Sequence, residues 1–162
     1  MVCELVALGC LVAHGDIANT KYLQKAYKAD DILKRLEQLH PDFYPYPVKM
    51  HITHGTQGHS GSVRLDDISA SYLKKEELIL LYGKCGDVLH KGSLRRLLNS
   101  RNAFPDKESY QDIIEWGQKL LNLLSQHRIS RIGRRFHILA ALQVDDVGGS
   151  VQIAVAESPL QK

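Results

Sequence analysis

Between Leu80 and Leu98 the sequence reads LLYGKCGDVLHKGSLRRLL, which places Tyr82, Cys85, Asp87 and His90 within a few residues of one another and Lys91, Arg95 and Arg96 close behind. A thiol and an imidazole invite a nucleophile–base pair. On a helix, however, each residue turns about 100°, so Cys85 and His90 stand roughly 140° apart and face different sides. Cys85 instead continues the apolar row Leu78, Leu81, Val88, where it is expected to be a buried, inert thiol. Tyr82, Gly86 and His90 share a face at intervals of four, and Asp87 is placed to orient the imidazole or to pair with Lys91. His90, Tyr82 and Asp87 are therefore the candidate catalytic residues. The same row would equally let a second helix approach closely and be pinned by hydrogen bonds.

Behind His90, Gly92 breaks the helix and Ser93 can cap the next one. Free backbone N–H groups at that cap, flanked by cations, form a phosphate or carboxylate site from Lys91, Ser93, Arg95 and Arg96. A solvated basic face is the plainer alternative. The helix ending YGKCGDVLHKG resembles those of HEPN domains, helical bundles of prokaryotic toxins, defence systems and nucleotide-binding proteins. That resemblance implies a bacterial, helical, dimeric scaffold. Its ribonuclease members carry an Arg followed four to six residues later by His, with a polar residue after the Arg. Here Lys84 stands six before His90. Arg35 with His40 and Arg131 with His137 match the spacing, but Leu36 and Ile132 follow the arginines.

A third histidine grouping, HITHGTQGH, holds His51, His54 and His59. Structural or catalytic zinc needs converging ligands and a second shell, and no Cys, Asp or Glu lies between Pro41 and Arg64 except Asp42, next to the proline. A surface loop is expected, with no metal and no cofactor. GKCG is not a phosphate loop, and no Gly-x-Ser-x-Gly elbow occurs.

The elements that must position these residues follow from composition and periodicity. The chain has 162 residues, 44% of them hydrophobic, and a net charge of +3. One domain spanning 1–162 is expected, with too little positive charge for a nucleic-acid coat. Three cysteines point to a reducing, cytoplasmic protein without disulfides. The opening run VCELVALGCLVA is too short for a membrane span and apolar on nearly every side, so it belongs in a bundle centre or an interface. So abrupt an apolar start suggests an N-terminally truncated form of a longer chain.

Ile32, Leu33, Leu36 and Leu39 recur at helical spacing until Pro41, and the proline-rich HPDFYPYP must be an extended connector exposing Phe43, Tyr44 and Tyr46. Alternation predicts an antiparallel hairpin over about 48–66. Helices are expected over about 74–89, 93–98 and 107–126, the last with the stripe Tyr110, Ile113, Ile114, Gly117, Leu120, Leu121, Leu124. A second hairpin is expected over about 135–157, with Phe136, Ile138, Ala140 and Leu142 paired against Val151, Ile153 and Val155. The expected fold is α+β, a mainly helical bundle with two small hairpins. The expected function is a non-enzymatic interaction module that binds a protein partner or itself as a homodimer. The alternative is a HEPN-type RNA- or nucleotide-binding protein, or a ribonuclease using His90 or His40 with nearby basic residues.

Overall fold

The computed structural model describes residues 2–15, 28–53, 61–86, 107–145 and 148–158. Within them lie helices α1 (Val2–Ala13), α2 (Ala29–Leu39), α3 (Lys75–Gly86) and α4 (Lys107–Ser125). The strands are β1 (Tyr46–Thr53), β2 (Ser62–Asp67), β3 (Gln126–Ser130), β4 (Phe136–Asp145) and β5 (Gly148–Glu157).

The helices form one core because each turns small or branched apolar groups inward at helical spacing. Cys3, Val6, Ala7 and Cys10 of α1 meet Ile32, Leu33 and Leu36 of α2, and Leu78 of α3 and Leu123 of α4 close the cluster. Helix α1 is not buried all round as its composition suggests: Val2, Leu5, Leu8 and Val12 on its far side are 42–79% exposed. Proline 41 ends α2 as expected, with the His40 N–H bonded to the Leu36 carbonyl. The connector that follows is not an exposed aromatic strip. Phe43 is fully buried, and the Tyr44 hydroxyl donates to the Leu73 carbonyl at 3.0 Å. An extended segment leaves every side chain a choice of sides, and the core takes the aromatic ring that carries no hydroxyl.

Helix α3 begins with the glutamate half of a capping box, which couples it to α4. Glu77 accepts the Lys74 backbone N–H at 3.0 Å through one carboxylate oxygen and the Lys119 ammonium at 2.5 Å through the other. Both contacts favour the charged carboxylate, and the lysine, the larger influence, helps hold its pKa below the ordinary value. An ion pair from Lys75 to Glu37 ties the same turn to α2.

The expectation of a mainly helical bundle with two separate hairpins is overturned by the sheet. Its five antiparallel strands run β2-β1-β3-β4-β5. Both hairpins exist, but β3 lies between them and makes a single sheet. The segment QHRIS has one aliphatic residue, Ile129, and no alternating apolar pattern. Its extended state comes from the partners on either side, not from its own propensity. The β1–β3 contact covers only Tyr46↔Arg128 and Pro47↔His127. Beyond it, the Gln126 side-chain carbonyl accepts the Met50 N–H at 2.8 Å and extends the contact between the two strands.

Candidate functional site

Residues directly opposite in an antiparallel pair point to the same face, so the register sorts the sheet into two surfaces. Ser130 opposes His137, and Tyr46 opposes Arg128. These four share one face. Ile138 opposes Val155, Ala140 opposes Ile153, and Leu142 opposes Val151, all on the other face. Ile129 and Leu139 point to opposite faces and are 8% and 2% exposed, so both faces are covered beside β3. Cover runs out toward β5.

On the polar face the connector and the β3–β4 turn enclose a cleft of about 430 Å³, whose lining includes Asp42, Tyr46, Tyr72, Arg128, Ser130 and His137. Ser130 is its hub. The His40 Nε2–H donates to the Ser130 carbonyl at 2.7 Å, which ties the end of α2 to β3. Ser158 Oγ donates to the Arg134 carbonyl at 3.2 Å and so accepts from the His137 Nε2–H at 2.8 Å. His137 Nδ1 is then left to accept the Ser130 hydroxyl, 3.1 Å away. Burial, and secondarily the positive charge of Arg128, lower the pKa of His137 and favour this neutral ring. His14 packs edge-on against His40 with ring centroids 5.2 Å apart and reaches the Phe43 carbonyl at 3.2 Å. Both buried histidines bond backbone carbonyls across elements. For His40, the alternative candidate from the sequence, the geometry is that of a strut.

The turn closing this cleft is strained in one place. Gly133 and Arg134 both have positive φ, 79° and 54°, and only the glycine adopts that region at no cost. Arg134 is held there by the ion pair of its guanidinium with Asp42 on the connector and by its backbone bond to Arg131.

The opposite face is apolar and open. Val151, Ile153 and Val155 are 62–70% exposed, continuous with Phe136 and Leu142. The two outer strands of the sheet differ in kind. Strand β2 carries Arg64, Asp66 and Asp67, and Arg64 and His51 both reach the Asp66 carboxylate. Strand β5 contains no Lys, Arg or Pro, and its one charge, Glu157, is bonded to Arg135 at 2.6 Å.

Most of the site expected from the sequence lies outside the described residues: Asp87, His90, Lys91, Ser93, Arg95 and Arg96, together with His54 and His59. Tyr82 is described and is a packing residue, half-buried at the start of α2. Its pKa is raised by burial and then by the nearby carboxylates of Glu4 and Asp30. Gly86 serves no close approach, since a Cβ there would meet nothing within 4 Å. Cys85 is exposed, not buried. Leu78 is buried and Leu81 and Tyr82 partly so, but Gly83, Lys84 and Cys85 are exposed, so α3 has run past the edge of the core by its last turn. Cys3 and Cys10 do lie in the core, where burial raises both thiols, Cys10 to about 12.

The cleft is assembled from segments far apart in the chain, and no spacing motif marks it. Its one sequence signal was the paired match of Arg35–His40 and Arg131–His137, whose histidines converge on Ser130. Among the described residues no group of three His, Cys, Asp or Glu gathers as a metal site would require, and no helix is long and apolar enough to cross a membrane. No family model, curated protein or solved structure matches the chain.

Proposed function

We propose that the protein is an interaction module that self-associates through β5. The observation that carries this is the unguarded edge: a ten-residue outer strand with three branched apolar side chains exposed on one face and no gatekeeping cation or proline. On its open face, Val151 and Val155 are also placed symmetrically about Ile153. A twofold-related copy running antiparallel sets Val151 against Val155 and Ile153 against itself, all on one face, and Glu157 falls opposite Gly149 instead of another carboxylate. The pairing joins two five-stranded sheets into one and hydrogen-bonds the outer edge of β5 to its copy. Helix α4 adds Tyr110, Ile113, Ile114 and Leu121, 47–67% exposed, as a second apolar surface. Three unpaired thiols, two of them in the core, support a reducing, cytoplasmic setting.

Sedimentation equilibrium of the whole chain at tens of micromolar should give a dimer. Ile153→Lys should shift it to monomer, raising the dissociation constant at least tenfold while circular dichroism stays unchanged, because the side chain is already exposed. A monomeric parent protein over that range would falsify the proposal. Dissociation by Ile113→Lys but not by Ile153→Lys would move the contact to α4 and refute the β5 pairing.

A further inference from the structure

The cleft on the polar face raises a question that self-association through β5 does not answer. Arg128 stacks its guanidinium over the Tyr46 ring, 5.3 Å from the centroid. Among the described residues no carboxylate pairs with it, and its buried Nε has no hydrogen-bond partner. Asp42, the one acid among the described residues that line the cleft, is already paired with Arg134, and His137, whose pKa burial lowers, has both ring nitrogens bonded to serines. The cleft therefore keeps an uncompensated positive charge at Arg128. Its walls are aromatic: Tyr46 and Tyr72 meet edge to face with centroids 5.7 Å apart, and Tyr44 stands beside them. At about 430 Å³ the volume falls in the range of small-molecule sites.

We propose that this cleft binds a small molecule carrying a flat aromatic ring and one phosphate or carboxylate. Arg128 takes the anion through its planar fork, and the tyrosines take the ring. The Ser130 hydroxyl donates to His137 and keeps its lone pairs for a donor on the ligand. The Arg134–Asp42 pair, held by the strained turn, fixes the width of the opening. A guanidinium matches either anion bidentately, so phosphate and carboxylate ligands share this chemistry and must be told apart by experiment.

The test is calorimetric titration of the full chain with phenyl phosphate, adenosine monophosphate and benzoate, against inorganic phosphate and adenosine as half-ligands. At least one of the three full ligands should bind at sub-millimolar concentration, with each half-ligand weaker by at least tenfold, which is about 1.4 kcal/mol. Whether benzoate or the phosphates bind identifies the anion. Arg128→Ala should weaken binding at least tenfold, Arg128→Lys should restore only part because it keeps charge without the fork, and Tyr72→Ala should erase the preference for phenyl phosphate over inorganic phosphate. Thermal melting identifies variants that fail to fold, and Arg128→Gln, which retains the chain length and a donor, replaces Arg128→Ala in that case. Absence of binding by all three ligands at roughly millimolar concentration would overturn the proposal. So would binding that survives every folded Arg128 variant unchanged.

Discussion

Helices α2 and α4 carry the same signal in the sequence, an apolar stripe at helical spacing, and come to opposite ends. In α2 the stripe Ile32, Leu33, Leu36 is 0–1% exposed, because α1 and α3 lie against it. In α4 only one flank is used: Leu123 is fully buried, and Trp116, Leu120 and Leu124 pack on the core. Tyr110, Ile113, Ile114 and Leu121 stay open. Lys84 and Lys119 approach the Trp116 ring, each with its ammonium 5.5 Å from the centroid. Periodicity establishes that a helix has an apolar face. It does not establish that the same chain supplies the cover, and the uncovered face is where a second chain can gain the most.

The contrast can be broken most forcefully by truncating equivalent side chains in the two helices. Leu36→Ala should cost about 3 kcal/mol through lost burial and the cavity left behind, read as a lower urea midpoint. Ile113→Ala, measured on the Ile153→Lys background so that self-association does not interfere, should stay within about 0.5 kcal/mol of its parent. A cost for Ile113→Ala as large as that for Leu36→Ala would mean that α4 is covered on both flanks. A smaller effect is expected at the joint between α3 and α4. Glu77→Ala removes the side-chain cap on the Lys74 N–H and the bridge to Lys119 and should lower stability by about 1 kcal/mol. Lys119→Ala should lose less, because the cap remains.

The mildest perturbation of the comparison is pH, through two partly buried histidines of β3 and β4. His127 and His137 both have pKa values lowered in the folded protein, first by burial in each case. The unfolded chain then binds protons more readily than the folded one. Stability is full above about pH 6.5 and falls as the pH drops from there toward the folded values. Urea midpoints at pH 7.5 and 5.5 should show that fall, and His137→Gln should shrink it. An unchanged slope in that variant would exclude His137 as its source.

The sequence made the local elements legible. Helix α2 ended at Pro41 because the ring cannot continue it, and the last hairpin paired as alternation required, Ile138 with Val155, Ala140 with Ile153 and Leu142 with Val151. What alternation could not tell was which way that stripe faces. Leu139 of the complementary set is buried, while Val151, Ile153 and Val155 are open to solvent. Cys85 failed for a related reason. Its place on the stripe of α3 was sound, but the helix outlasts the core that its first turns pack against. Strand β3 was illegible in QHRIS, since a strand hydrogen-bonded on both sides needs little propensity of its own. The cleft was illegible because its walls come from 41–46, Tyr72 and 128–137, brought together by no spacing.

By itself, then, the sequence determined where α2 ends, that the segments around β3 are helical or extended, and which residues oppose each other in the last hairpin, since these depend on neighbours a few positions away. Only the tertiary structure decided that the two hairpins share one sheet, that Arg128 looks into an aromatic cleft, and that His40 and His137 meet at Ser130. Those outcomes depend on hydrogen bonds and burial between segments up to 90 residues apart, and no local pattern encodes what another part of the chain will cover.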